Sequence, residues 1–318
     1  MSESQYSDEL SKNMVWLSGL LPYSKVVETY ERVGRRQIAE SNVWRETQLR
    51  GERLKTEAER QRTAMHPEQV MLGDARQDHR QRKAVSLDGG MMNIRGEGWK
   101  EFKAGTVSDI EQRKVTDPHT GEDIDQPYSV NTHYVAVLGD VGQFTPAFWA
   151  LAVKHRVPDA LYSAVIADGA PWEWNVADDY FPDSTQIVDW YHADEHLALA
   201  AQTLHPDDDA QAKQWRHHMH EPLFAGQVWQ IIRHLHQAGL SSHAHYFETH
   251  QRRMLYREFR ELGFPIGSGT VESGIKQYKS RLAGPGMRWS RTHAERMLVI
   301  RSAVLSDTND FDTLWAAA

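Results

Sequence analysis

The sequence contains no cysteine among its 318 residues. This absence excludes disulfide bonds, cysteine-ligated zinc and thiol nucleophiles, and it fits a reducing compartment. Long hydrophobic runs are also missing, since no segment approaches the roughly 18 apolar residues of a membrane-spanning helix. The first residues are polar and lack the basic-then-apolar order of a signal peptide. We therefore expect a cytoplasmic protein with no membrane association.

Lysine and arginine are absent from one long segment, although the chain is rich in charge. Residues 159–209 hold 12 acidic residues and no Lys or Arg, whereas residues 252–301 hold 11 basic and 4 acidic residues. The net charge of -8 therefore conceals a strong sorting of charge along the chain. Such sorting suits a metal-dependent enzyme that acts on a polyanion, because acids hold cations and basic residues hold phosphates. The alternative is two ordinary solvated faces of opposite charge.

Residues 1–82 read as an N-terminal helical region. The apolar spacing in residues 23–34 predicts a short helix that ends near Gly34, and Ser41 is a candidate N-cap for a following helix. This pattern fits part of a helix-turn-helix, in which Arg45 would be available to DNA. A plain helical hairpin packed on the next domain fits equally well.

The period then changes from helix to strand, and the hydrophobic content of 40% is enough for a sizeable core. Strands are predicted at 83–95, 99–107, 129–138, 163–172 and 185–192, and helices at 143–155 and 193–201. We expect a mixed α/β fold, with residues 83–200 forming the first part of a core, 201–263 an all-α insertion, and 264–318 the rest of the core. An order β-β-β-α-β-α-β followed by a helix is that of a ribonuclease H-like sheet, in which strands one and four are neighbours.

Three acidic residues stand out by their position. Asp88 precedes a Gly-Gly pair that predicts a break in the first strand, Asp168 ends a short apolar strand, and Glu272 follows two glycines at the start of a helix. If strands one and four are adjacent, Asp88 and Asp168 lie together. A carboxylate cluster of this kind binds two Mg²⁺ or Mn²⁺ ions, one to activate a water or a DNA 3′-hydroxyl and the other to stabilise the leaving oxygen. Taken singly, each acid is better explained as a loop or helix cap.

Four blocks carry a family resemblance: Ser86-Leu-Asp88-Gly, Ile166-Ala-Asp168-Gly-Ala-Pro-Trp172, Asp189-Trp-Tyr-His192 and Gly267-Ser-Gly-Thr-Val-Glu272. Together, and in this order, they resemble the DDE transposases of bacterial insertion sequences of the ISKra type. The resemblance implies a ribonuclease H-like domain with a helical insertion, and metal-dependent DNA cleavage and strand transfer at the ends of the element. It also implies a homo-oligomer on paired double-stranded DNA ends in the nucleoid. Carried over, Asp88, Asp168 and Glu272 would be the metal-binding triad.

Further residues follow from the same segments. His192 could orient a phosphate or a water, with Asp189 fixing the tautomer of its ring, and the alternative is a structural pair at a strand end. DNA contacts are predicted for Arg45 and for basic or aromatic residues that follow Glu272, with a core position as the alternative for the tryptophan. These residues are Lys276, Lys279, Arg281, Arg288 and Trp289.

Two other functions compete with the transposase. His192 and His196 lie one helical turn apart, and with Asp189 they could bind zinc in a hydrolase of a small substrate. A transposase-derived protein, adopted by its host as a DNA-binding protein or a nuclease, is the second alternative. The region ahead of Asp88 is shorter than is usual in the family, which fits a shortened transposase, a catalytic core that works with a partner, or such an adopted descendant.

Overall fold

The fold is built around one mixed five-stranded sheet with helices on both faces. The structure is a computed structural model and describes residues 5–65, 81–116, 123–307 and 309–318. In chain order the strands are β1 (Arg82–Ile94), β2 (Gly98–Thr116), β3 (Asp123–Leu138), β4 (Tyr162–Ala167) and β5 (Thr185–Val188). Their order across the sheet is β3-β2-β1-β4-β5. The β1–β2 and β2–β3 pairs are antiparallel, and the β1–β4 and β4–β5 pairs are parallel.

The predicted mixed α/β class and the adjacency of strands one and four are confirmed. The predicted break after Asp88 is wrong, because β1 continues through Gly89 and Gly90 to Ile94. At Gly90 a Cβ atom would lie only 2.3 Å from the ring of Phe102 on β2. Glycine therefore lets a side chain from the neighbouring strand cross over β1, and the pairing with β2 is uninterrupted there.

The helices surround this sheet and include a block between β5 and the Glu272 helix. In chain order they are α1 (Asp8–Leu20), α2 (Tyr23–Arg32), α3 (Glu40–Ala64), α4 (Val141–Lys154), α5 (Pro171–Tyr180), α6 (Trp190–Leu204), α7 (Asp209–Phe224), α8 (Val228–Gln237), α9 (Ser241–His250), α10 (Tyr256–Glu261), α11 (Gly269–Leu282), α12 (Arg291–Leu305) and α13 (Asp310–Ala317). A short 3₁₀ helix spans Gln251–Arg253. None of the helices in the described part of the chain is both long and apolar enough to cross a membrane.

Helix α5 is missing from the sequence prediction, which extends strand four to residue 172. The strand ends at Ala167, and α5 begins at Pro171, whose fixed backbone angle suits the first position of a helix. Glu173 follows two residues later and accepts backbone N–H bonds from the turn before the helix. The Asp-Gly-Ala-Pro sequence is therefore a strand-to-helix turn.

Two hydrophobic clusters lie against the sheet. One contains Phe148 of α4, Val165 of β4 and Leu223 of the helical block, so the block packs into the same core as the strands. The other contains Phe102 of β2 and Tyr278 of α11, together with residues of α12. A smaller cluster joins α1, α2 and α3.

The N-terminal helices fit the helical-hairpin alternative better than a helix-turn-helix. Residues 33–39 connect α2 to α3, which is longer than the roughly 3–4-residue turn of a helix-turn-helix. Helix α3 begins at Glu40, with Ala39 as its N-cap, so the prediction of Ser41 as the cap is wrong. Its middle packs against α12, where a Cβ on Gly51 would lie 3.2 Å from side-chain atoms of Ile300. Arg45 is exposed and bonds to Asn42, and its contact with DNA stays a prediction.

Gly105 on β2 should be essential for the seating of α4. A Cβ atom there would lie 2.4 Å from Cδ2 of Phe148, a fully buried ring that stacks on Phe144. We expect Gly105→Ala to lower the free energy of unfolding by about 1–3 kcal/mol, because a packed core accommodates an added methyl only by displacing its neighbours. Urea denaturation measures the change.

Gly142→Ala on α4 is the matched control. Gly142 is exposed, and the nearest neighbouring atom to an added Cβ is Asp140 Oδ1 at 3.4 Å. The same substitution should leave stability unchanged or raise it by up to about 1 kcal/mol, since alanine favours helix over glycine. Equal effects of the two substitutions would contradict the packing described for Gly105.

Candidate active site

The two predicted aspartates lie just beyond the paired stretch of the neighbouring parallel strands β1 and β4, Asp88 within β1 and Asp168 directly after β4. The β1–β4 pairing ends at Ser86 opposite Ile166. Asp88 and Asp168 each lie two residues further along, on the same side of the sheet. Asp88 Oδ1 accepts a hydrogen bond from the N–H of Gly89 at 2.5 Å. Burial, together with the charge of Asp168, raises the pKa of Asp88 to about 6, against the bond from Gly89 and the charge of His192. The site therefore holds two carboxylates that repel each other at neutral pH.

Glu173 supports Asp168 and was not identified from the sequence. Its side chain is 1% exposed, and Oε2 accepts the N–H groups of Gly169 and Ala170, each at 3.1 Å. Burial, and then a hydrogen bond with Asp168, raise the pKa of Glu173 to about 10, so its carboxyl group is protonated at neutral pH. Asp168 Oδ1 also accepts the N–H of Ala170 at 2.9 Å. The turn after β4 therefore holds the Asp168 carboxylate in one orientation.

Asp189 joins two elements that are far apart in the sequence. It is fully buried and caps α6, where Oδ1 accepts the backbone N–H groups of Tyr191 at 2.7 Å and His192 at 3.0 Å. Its Oδ2 accepts the N–H of Ser268 and, at 2.8 Å, the Ser268 hydroxyl. Ser268 is the N-cap of α11, the helix that carries Glu272. Asp189 therefore fixes the start of the Glu272 helix against the end of β5.

Asp189 acts on the backbone of His192, which differs from the prediction that it fixes the tautomer of the ring. The Nδ1 atom of His192 lies instead 3.4 Å from a carboxylate oxygen of Glu195 on the same helix. Ligand atoms of Asp189, His192 and Glu272 all lie within 4.8 Å of one another, so this group could hold a metal ion. Because both oxygens of Asp189 already accept two hydrogen bonds each, we regard it as an anchor, with His192 and Glu272 as the free ligands.

The predicted triad is only loosely assembled in the described part of the chain. Asp88, Asp168 and Glu272 do not form a group of ligand atoms within 4.8 Å. His192 lies between the Asp88–Asp168 pair and Glu272, since it interacts electrostatically with Asp88 and its ring lies beside Glu272. Carboxylate oxygens are nevertheless the ligands that Mg²⁺ and Mn²⁺ prefer, and a cation would relieve the repulsion between Asp88 and Asp168. The donor set fits such ions, and the triad stays a prediction.

The zinc set of the rival hydrolase is not formed. The ring of His196 stacks on Tyr246 of α9, with centroids 3.4 Å apart and planes 12° apart. Among the residues that the structure describes, His196 does not group with His192 and Asp189 as metal ligands. The Tyr246 hydroxyl also donates to the backbone oxygen of Asp168 at 3.4 Å. His196 therefore packs the helical block against the site.

The predicted DNA-contacting residues divide into exposed and buried sets. Lys276, Lys279 and Arg288 are exposed, and the Nζ atom of Lys276 lies 3.9 Å from Glu272. Arg281 and Trp289 are buried, at 3% and 9% exposure, so they offer DNA no surface and their predicted role is wrong. Arg281 donates to the carbonyl of residue 18 at 2.7 Å and packs over the Trp289 ring. The core alternative for Trp289 is confirmed.

Comparisons with known proteins do not identify a family, since no family model and no curated protein matches the chain.

Asp189→Asn should destabilise the protein strongly. The amide keeps one acceptor oxygen, but its NH₂ group would face the N–H or the hydroxyl of Ser268, or the N–H groups at the start of α6. We expect the free energy of unfolding to fall by about 2–3 kcal/mol, the usual worth of buried hydrogen bonds to a charged group. Chemical denaturation measures the change.

Asp208→Asn is the matched control for this substitution. Asp208 also accepts two N–H bonds as an N-cap, from Ala210 and Gln211, but it is exposed enough for an amide NH₂ group to turn to solvent. Asn and Asp are about equally good N-caps, so we expect a change below about 0.5 kcal/mol. Similar losses in both variants would refute the role of Asp189 as a tie between α6 and α11.

Asp88→Asn should stabilise the metal-free protein in a pH-dependent way. Because the folded pKa of about 6 exceeds the ordinary value of 3.8, the folded state retains a proton that the unfolded chain releases. Stability should therefore fall as the pH rises from 4 to 6, and the substitution should remove this loss. We expect a gain of about 2 kcal/mol at pH 7 and almost none at pH 4, after allowance for partial exposure.

Denaturation in a chelating buffer at both pH values tests this expectation. Asp179→Asn removes the same charge from an exposed position on α5 and should change stability little at either pH. A gain for Asp88→Asn that does not depend on pH would contradict the raised pKa of Asp88 in the folded state.

Proposed function

We propose that this chain is a DNA transposase of the DDE class, with a ribonuclease H-like domain that cleaves phosphodiester bonds and joins DNA strands at insertion-sequence ends. The observation that carries the proposal is the position of Asp88 beside Asp168 beyond the last paired residues of β1 and β4. The Glu272 helix is held at the same edge by Asp189, which lies at the end of β5. Four sequence blocks that are distant in the chain thus meet at one place.

The sheet supports the ribonuclease H-like part of the proposal. Its order β3-β2-β1-β4-β5, with β2 antiparallel to both neighbours and β4 and β5 parallel to β1, agrees with the strand order on which the expectation rested. A helical block separates β5 from α11, as the resemblance implies. The strand pairing and the motif order therefore support the same catalytic domain.

The metal chemistry would depend on Asp88, Asp168 and Glu272 as ligands. Two Mg²⁺ or Mn²⁺ ions, when bound, supply activation of a water or a DNA 3′-hydroxyl and stabilisation of the leaving oxygen. Glu173, which burial keeps protonated, holds Asp168 in one orientation through a hydrogen bond. His192, beside Glu272, is suited to donate a hydrogen bond to a phosphate oxygen.

The DNA backbone would lie along the exposed cations that follow Glu272. Lys276 and Lys279 occupy successive turns of α11, and Arg288 follows the helix. The Nζ atom of Lys276 lies 3.9 Å from a carboxylate oxygen of Glu272, so these two residues are only weakly paired, and the Lys276 side chain is 80% exposed. These cations therefore remain available to phosphates. We expect the chain to act as a homo-oligomer on paired DNA ends.

Cleavage and strand transfer on labelled double-stranded DNA from the native locus test the proposal. The parent should nick or join the DNA with Mg²⁺ or Mn²⁺ and not with a chelator. Asp168→Asn and Glu272→Gln should each lower the rate more than about 100-fold, because residues that only support metal ligands are already worth about 10–100-fold.

Glu261→Gln provides the matched control for Glu272→Gln. Glu261 is also a helical glutamate with a cation one turn away, Arg257 at 2.9 Å, but it lies on α10 with a 63% exposed side chain. This variant should retain parental activity. Metal-dependent cleavage that persists in Asp168→Asn and Glu272→Gln would refute the catalytic assignment. Binding without cleavage by the parent would favour the host-adopted DNA-binding protein.

A further inference from the structure

A second cluster of metal-ligand side chains lies at the β3 edge of the sheet. His133 is on β3, His155 follows α4, and Asp310 is the first residue of α13. One ligand atom from each lies within 4.8 Å of the other two. Strands β2 and β1 separate β3 from β4, the strand that ends at Asp168. This cluster is therefore distinct from the candidate active site.

The two imidazole rings are in contact and only partly satisfied. His133 and His155 stack with centroids 3.5 Å apart and planes 22° apart. His133 is 6% exposed, and its Nδ1 atom lies 2.6 Å from Asp310 Oδ2. The Nε2 atom of His155 is buried and has no hydrogen-bond partner. A buried nitrogen of this kind is unfavourable unless a water or an ion completes its bonding.

We propose that His133, His155 and Asp310 bind a zinc ion. Two imidazole nitrogens and one carboxylate oxygen are a common protein donor set for zinc, with a water as the fourth ligand. Asp310 Oδ1 would stay with Lys154, at 3.1 Å, while Oδ2 exchanges its bond to His133 for the metal. The stacked rings must turn from their parallel arrangement so that their lone pairs converge.

Nearby lysines affect how tightly this site would bind zinc, and the positions of its ligands determine which elements the ion would join. Lys154 and Lys83 both act on His155, although Lys83 is paired with Asp109, so the site should bind zinc more weakly than a closed site without nearby cations. The bound ion would tie the end of α4 and the start of α13 to β3. We therefore expect the ion to stabilise the packing of these three elements, independently of the proposed DNA chemistry.

Zinc titration of the chelator-treated full chain tests the site. Calorimetry and the Tm are followed with Zn²⁺ alone as the probe, in a His192→Gln, Glu272→Gln background that removes the other candidate metal group. We expect one zinc ion per chain and a rise in Tm. Adding His155→Gln or Asp310→Asn should weaken zinc binding at least 10-fold and abolish the rise.

His236→Gln is the matched control, since His236 Nε2 also bonds to a carboxylate, Glu248 at 2.7 Å, but on the surface. It should leave zinc binding unchanged. If His155→Gln fails to fold by circular dichroism, zinc anomalous scattering from crystals of the parent locates the ion directly. Absence of zinc binding, unchanged binding in both folded variants, or an anomalous peak elsewhere would each overturn the proposal. None of these results would bear on DNA cleavage.

Discussion

The parallel pairing of β1 with β4 is the contact on which the rest of the structure depends. It joins residues about 80 positions apart through fully buried side chains such as Val85 and Val165, which lie opposite each other in the register. The antiparallel strands β2 and β3 extend the sheet on one side, and β5 extends it on the other. Because the pairing ends just before Asp88 and Asp168, the same contact that organises the core brings two carboxylates together.

The helical block separates β5 from α11 in the sequence, yet α11 packs against the same sheet. Asp189 holds the two ends of the block together, because it accepts hydrogen bonds from the start of α6 and from Ser268 at the start of α11. Trp190 N–H also donates to the carbonyl of Ile266 at 2.9 Å. Because both ends of the block are fixed in this way, α11 begins at the end of β5 although the helical block separates the two in the sequence.

The sequence predicted the features that arise from local patterns. Apolar runs and alternation gave the five strands, the order of elements along the chain gave the adjacency of strands one and four, and a strand-end position gave Asp168. Features that arise from distant contacts were missed or wrong. Arg281 lies in a basic segment, yet it is buried because a carbonyl of α1 accepts its guanidinium bond. The pairing of Glu173 with Asp168, and that of His133 with His155, likewise depends on tertiary packing that spacing alone does not encode.

The folded structure explains how an acid-rich segment and a basic segment can lie next to each other. Asp168, Glu173 and Asp189 belong to the acid-rich segment, and each is either protonated, saturated with hydrogen bonds or held beside another carboxylate. The exposed cations of α11, Lys276 and Lys279, follow Glu272 in the sequence, and Lys276 is only weakly paired with it. A chain with a net charge of -8 can therefore present a local cationic surface next to a carboxylate cluster. Phosphate contacts at such a surface weaken as salt concentration rises, whereas the buried tie at Asp189 is screened much less.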